Sequence, residues 1–193
     1  MGDLPSSSTG AGSIVCVRIN WAGTALDYAP PRGVFHTLHV GPEPDHPFGR
    51  KGLALATGWQ QLTRHLPDTL GMLVMDGDIV IDPADVAAMF RAAVNAPQEV
   101  HTAPVRLWPA STKRDDWVWG SWAEKPSQSL DLEPVWFSTC LTYLPARLIK
   151  AALKDGLRSW TYPGVDARIA ETAQRLGTPV RVVLECQPKH TNY

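Results

Sequence analysis

The most chemically suggestive feature of this chain is Asp76-Gly77-Asp78, in which a single glycine separates two carboxylates at the end of the apolar run Gly71-Met72-Leu73-Val74-Met75. A diphosphate and a carboxylate cluster repel each other, and like charges about 4 Å apart cost about 4 kcal/mol at an effective dielectric of ~20. A divalent cation between them reverses that sign. Hard Mn²⁺ or Mg²⁺ takes oxygen ligands from carboxylates and phosphates, and Gly77 lets the backbone come near the ligand. Such a cation can stabilise a diphosphate leaving group. By itself the tripeptide also reads as a plain turn. Its place at a strand end favours a ligand site, because open α/β sheets bind ligands at the carboxyl ends of their strands.

The elements that must position these carboxylates follow from periodicity. Ile14 to Ile19 is a short β-branched run suited to a buried strand, with Asn20-Trp21-Ala22-Gly23 at its end. Pro30, Pro31, Pro42, Pro44 and Pro47 confine regular structure in that region to a strand over about 34–40. Leu55, Trp59, Leu62 and Leu66 make one apolar stripe and predict a helix over about 51–65. The run at 71–75 reads as a central strand covered on both faces. Asp82-Pro83 then opens a helix with Val86, Met89, Phe90 and Ala93 on one face. Further on, a strand over 100–107, a loop or hairpin over 113–125, helices over about 145–154 and 166–176, and a strand over 179–185 are expected. This alternation predicts an α/β fold with a mostly parallel central sheet flanked by helices.

Composition bounds the reading. A chain of 193 residues with 44% hydrophobic and 19% charged residues suits one globular domain. Residues 1–13, rich in Ser and Gly, are expected to be a flexible tail, with the domain over 14–193. A formal net charge of −1 gives no long-range field for nucleic acid or an anionic membrane. The three cysteines, Cys16, Cys140 and Cys186, are odd in number and widely spaced, which predicts buried thiols in a reducing compartment. Cys186 and His190 lack the second Cys or His pair that a zinc site needs. With no apolar stretch of about 20 residues and no signal-peptide pattern, a cytoplasmic protein without a membrane partner is expected.

The segment Leu73-Val74-Met75-Asp76-Gly77-Asp78-Ile79-Val80-Ile81-Asp82-Pro83 closely resembles the DxD region of GT-A glycosyltransferases, of the family 2-like nucleotide-diphospho-sugar transferase type. The resemblance implies a single GT-A-like, Rossmann-type domain that moves a sugar from a UDP- or GDP-sugar donor to a hydroxyl acceptor. In that pattern Asp76 contacts the donor ribose or metal-bound water, and Asp78 ligates Mn²⁺ or Mg²⁺. Gly49-Arg50-Lys51-Gly52 looks like the family segment opening the preceding helix, where Arg50 or Lys51 meets the base or diphosphate. Either side chain could equally be solvated. Asp27 and Asp45 are candidates for the base-binding acid.

Later in the chain, Tyr162-Pro163-Gly164-Val165-Asp166 matches the family's acidic motif at a helix start, with Val165 where the family carries Glu. The same resemblance makes Asp166 the general base, a role compatible with a helix N-cap, and His190 the third metal ligand. A base at Asp166 implies inversion at the anomeric carbon. Of eight tryptophans, Trp108, Trp117, Trp119, Trp122 and Trp136 fall where the family places its acceptor site. Aromatic faces stack well on sugars, so Trp119 and Trp136 are candidate acceptor residues, alongside a packing role. Protein, small-molecule, lipid-linked and modified nucleic-acid acceptors all fit.

Two other readings compete. A sugar-phosphate nucleotidyltransferase shares the α/β plan and acidic metal site, but Asn20-Trp21-Ala22-Gly23-Thr24 is a poor match to its Gly-rich basic loop. A degenerate module would bind nucleotide or glycan without metal dependence or turnover.

Overall fold

Strands β1 (Ile14–Ile19) and β3 (Gly71–Asp76) are buried along their whole length, as expected where apolar side chains meet partners on both faces of a sheet. The computed structural model describes residues 12–19, 37–40, 51–77, 79–104, 137–160, 164–186 and 188–190, with the backbone alone for 37–40, 189 and 190. Between β1 and β3 lie β2 (Thr37–Val40) and helix α1 (Lys51–Thr63). After β3 come β4 (Ile79–Val80), α2 (Pro83–Asn95), β5 (Val100–Thr102), β6 (Leu141–Pro145), α3 (Ala146–Lys154), a 3₁₀ turn (Leu157–Ser159), α4 (Gly164–Arg175), β7 (Val180–Val182) and β8 (Lys189–His190).

The main sheet has the order β2-β1-β3-β6-β5-β7. β1 runs parallel to β2 and β3, and β5 parallel to β7, whereas β6 is antiparallel to both of its neighbours. The sheet is therefore mixed, and the expectation of a mostly parallel sheet is corrected. The expected elements between 100 and 145 included no strand at 141–145, yet this strand joins the two parallel parts. Short β4 and β8 form a separate antiparallel pair, with Ile79 opposite His190.

Alternation along the strands divides the core. Val15, Val17, Ile19, Met72, Val74 and Leu144 pack on one face with α1, α3 and α4, through Leu55, Trp59, Leu148, Ile149 and Ile169. Ile14, Cys16, Leu73, Met75, Leu141 and Tyr143 meet Val86, Met89 and Ala93 of α2 on the other. The predicted stripe of α1 is the face that packs, although the helix ends at Thr63, two residues early. α4 starts at Gly164, so Asp166 lies in its first turn and is not the N-cap. All three cysteines are buried free thiols. Cys186 donates to the Asp85 carbonyl at 3.3 Å, and burial pushes its thiol up to about 12.

Asp82 caps α2 as its sequence implied. Its side chain accepts from the Ala84 N–H at 2.8 Å while Asp85 returns a bond to the Asp82 N–H at 3.1 Å, and Pro83 fills the first turn. Asp82→Ala removes one half of this capping box, so a loss of about 0.5–2 kcal/mol is expected in chemical denaturation. An unchanged midpoint would show that the cap is not formed in solution.

The expected tail lies outside the described residues except for Gly12 and Ser13, and Ser13 already belongs to the fold, its carbonyl accepting from the Leu70 N–H at 2.7 Å. The proline-rich segment apart from β2, and the loop expected over 113–125, also lie outside them. Among the described residues no helix is long and apolar enough to cross a membrane.

Candidate functional site

Residues of β3 alternate between the two faces, and this parity sends Asp76 to the side of α1. The strand end is fixed from both sides. The Asp76 N–H donates to the Cys140 carbonyl at 2.8 Å, and the Gly77 N–H donates to the Ile19 carbonyl at 2.6 Å. Asp76 itself is 6% exposed.

Helix α1 opens beside it at Lys51. Gly52 makes the approach feasible, since a Cβ there would lie 2.2 Å from the Leu157 carbonyl oxygen and 2.6 Å from that of Trp160. No side chain fits at that distance, so the start of α1 lies directly against the 3₁₀ turn. Lys51 is only 4% exposed, which corrects the reading of it as a solvated residue. Its Nζ lies 3.0 Å from Asp76 Oδ2 and 3.5 Å from Asp166 Oδ1. Burial alone would lower the lysine pKa, but the charges of Asp166 and Asp76 outweigh it and hold the ammonium above the ordinary lysine range.

Asp166 reaches this point from the first turn of α4, where the helix dipole favours a negative charge. The Thr139 hydroxyl donates to Asp166 Oδ1 at 2.7 Å, and the Thr139 N–H to Oδ2 at 3.4 Å. Thr139 is fully buried, while the Asp166 side chain keeps 20% of its surface exposed. Next to Thr139, Cys140 is a buried thiol raised well above its usual range by burial, with the Asp76 charge adding to the effect. It stays protonated and is not a ready nucleophile. Ser138 fixes the turn by donating to Cys140 Sγ at 2.7 Å and accepting the Cys140 N–H at 3.2 Å.

Three candidates separated by long stretches of chain, Lys51, Asp76 and Asp166, thus share one ion-paired group. Arg50, Asp78, Asp27, Asp45, Trp108, Trp117, Trp119, Trp122 and Trp136 lie outside the described residues, and of His190 only the backbone is described. That backbone is informative, because its pairing with Ile79 sets His190 opposite the residue that follows Asp78. Directly opposed residues on antiparallel strands have Cα atoms about 4.5–5.5 Å apart. Among the described residues no three His, Cys, Asp or Glu side chains gather closely enough to hold a metal. Asp76 and Asp166 already share the Lys51 ammonium.

In the sequence Thr139 closes Trp136-Phe137-Ser138-Thr139, which resembles the family's acceptor-side segment, but the resemblance gives Thr139 itself no role. Thr139 precedes Asp166 by 27 positions, and nothing local in the sequence predicts the hydrogen bond between the two side chains.

Fold and site together define an α/β chain with a mixed, helix-flanked sheet that collects two carboxylates and a lysine at the end of a central strand. No protein-family model matches the chain, and no curated protein matches its sequence. Among solved structures it resembles the crystal structure of A197 from STIV, with a TM-score of 0.55 at 11% identity over 93% of this chain and 86% of that one. A looser likeness is to the UTP-bound UGPase from Acinetobacter baumannii, with a TM-score of 0.42 at 12% identity over 82% of this chain and 56% of that one. At such identities the first likeness speaks to the fold alone, and the second carries no weight.

Proposed function

We propose that the chain is a metal-dependent glycosyltransferase that moves a sugar from a nucleoside diphosphate sugar, a UDP- or GDP-sugar, to a hydroxyl acceptor with inversion. The observation that supports this reading most is the meeting of Asp76 and Asp166 across Lys51, which brings the donor-side acid within reach of an acid suited to deprotonating the acceptor. In this reading Asp78 and His190 hold Mn²⁺ or Mg²⁺, which when bound neutralises the departing diphosphate. Asp76 faces the donor ribose or a water on the metal, and Arg50 faces the base or diphosphate. Asp166 takes the acceptor proton as the hydroxyl attacks from the face opposite the leaving group. Trp119 or Trp136 offers an aromatic face to the acceptor. Lys51, buried between the acids, acts on the donor through Asp76.

Calorimetric titration of UDP, GDP and their sugar conjugates, with and without Mn²⁺, tests the reading on the wild type and on Asp78→Ala. Metal-dependent binding that weakens at least about tenfold in Asp78→Ala is the expected result, about 1.4 kcal/mol. Binding without metal dependence favours a non-catalytic module. Release of pyrophosphate instead of nucleoside diphosphate favours a nucleotidyltransferase.

A further inference from the structure

A base that acts on one acceptor hydroxyl needs its lone pairs aimed in one direction, and a carboxylate on a helix turn can rotate. Asp166 has two oxygens and about four lone-pair sites between them. Their surroundings differ. Oδ1 accepts the Thr139 hydroxyl at 2.7 Å and faces the Lys51 ammonium at 3.5 Å, whereas Oδ2 has the long Thr139 N–H contact at 3.4 Å. Thr139 is itself held in place. It is fully buried, precedes the Cys140 turn that binds the end of β3, and follows Ser138, whose carbonyl accepts the Thr142 hydroxyl at 2.7 Å. Lys51 is equally fixed by the start of α1 and by Asp76.

We infer that Thr139 and Lys51 are positioning residues that engage Oδ1 of Asp166 and leave Oδ2 as the oxygen that receives the acceptor proton. This assignment rests on the transferase reading and extends it to a residue that does not touch substrate. The side chain of Asp166 keeps part of its surface open, as an oxygen serving an incoming hydroxyl requires. Thr139 also ties the two halves of the site together, since the segment that holds Asp166 also anchors Asp76 through Cys140.

The test uses two variants of the full chain, Thr139→Val and Thr139→Ser. Valine keeps the shape and removes the hydroxyl donor; serine keeps the donor and removes the methyl group. The readouts are release of UDP or GDP from the sugar donor that calorimetry selects, with water as the acceptor, and the affinity for that donor with Mn²⁺.

Misplacing a reacting group by about an ångström costs on the order of 100-fold. Turnover of Thr139→Val should therefore fall about 10- to 100-fold with donor affinity within about twofold of wild type, and Thr139→Ser should recover to within about threefold. A Thr139→Val enzyme as fast as wild type overturns the assignment. Equal losses in both variants, or loss of donor affinity alongside turnover, also overturn it, because they mark a packing role. A wild type that binds no donor and releases no nucleotide overturns the transferase reading itself, and this assignment with it.

Discussion

Asp166→Asn is expected to lower sugar transfer by about 10²- to 10⁴-fold, the range typical of losing a general base. The substitution keeps the carbonyl that accepts the Thr139 hydroxyl and nearly the same volume, so the fold and the entry of α4 should persist. Donor affinity should change little, because the ion pair of Lys51 with Asp76 remains. A fall in kcat at constant donor affinity is the mark of an interaction made only as the reaction proceeds. Activity within tenfold of wild type would remove Asp166 from the mechanism. Product with retained configuration would equally exclude it as the base of a direct displacement.

The second large effect concerns stability. Lys51→Met leaves Asp76 buried without its ammonium, and removing one partner of a buried ion pair costs about 3–5 kcal/mol. The double variant Lys51→Met with Asp76→Asn should recover part of that loss, since it neutralises the remaining charge. The pH dependence has a definite sign. The folded-state pKa of Lys51 is raised above its unfolded value, so its contribution is complete below the unfolded lysine pKa of about 10.4 and is lost as pH rises through the folded value. The wild type should thus keep the Lys51 contribution through neutral pH and lose it in strong alkali, while protonation of the buried Asp76 that lacks its ammonium in Lys51→Met narrows the gap on the acid side. A loss under about 1 kcal/mol at about pH 9, or a gap that closes as pH rises toward about 9, would mean that the ion pair is not formed in solution.

What the sequence made legible depended on how local the cause was. β1, β3 and α1 could be read because an unbroken apolar run and a 3.6-residue stripe are local consequences of burial on two faces or one. The start of α2 could be read because Asp82 and Pro83 act within their own turn. β6 could not. Its Thr142 is fully buried, and the hydroxyl bonds that make this tolerable come from Thr102 at 2.8 Å and the Ser138 carbonyl, both distant in sequence or masked by a turn. A polar residue inside a short run therefore hides, from local patterning, a strand that the tertiary structure fully covers, and the mixed character of the sheet is hidden with it.

The site divides in the same way. Asp76 could be placed from the strand that ends at it, and Asp166 from a resemblance. The bridging of both acids by Lys51 depends on how closely α1 approaches the 3₁₀ turn, and Gly52, which permits that approach, looks in the sequence like an ordinary glycine near a helix start.

The position of β6 also orders events during synthesis. Among the described residues β5 pairs with β6 and β7, and both follow it in the chain, so a ribosome-bound chain that has emerged as far as Thr102 can align β1, β2 and β3 before either described partner of β5 exists. Domains fold from the N-terminus as they emerge, and pairings between distant segments form slowly. Asp76 and Lys51 can therefore meet early, whereas Asp166 arrives only after β6 has been inserted and α4 has followed it. Until then the chain holds one carboxylate and one ammonium, and the second acid completes the group only after β6 is in place.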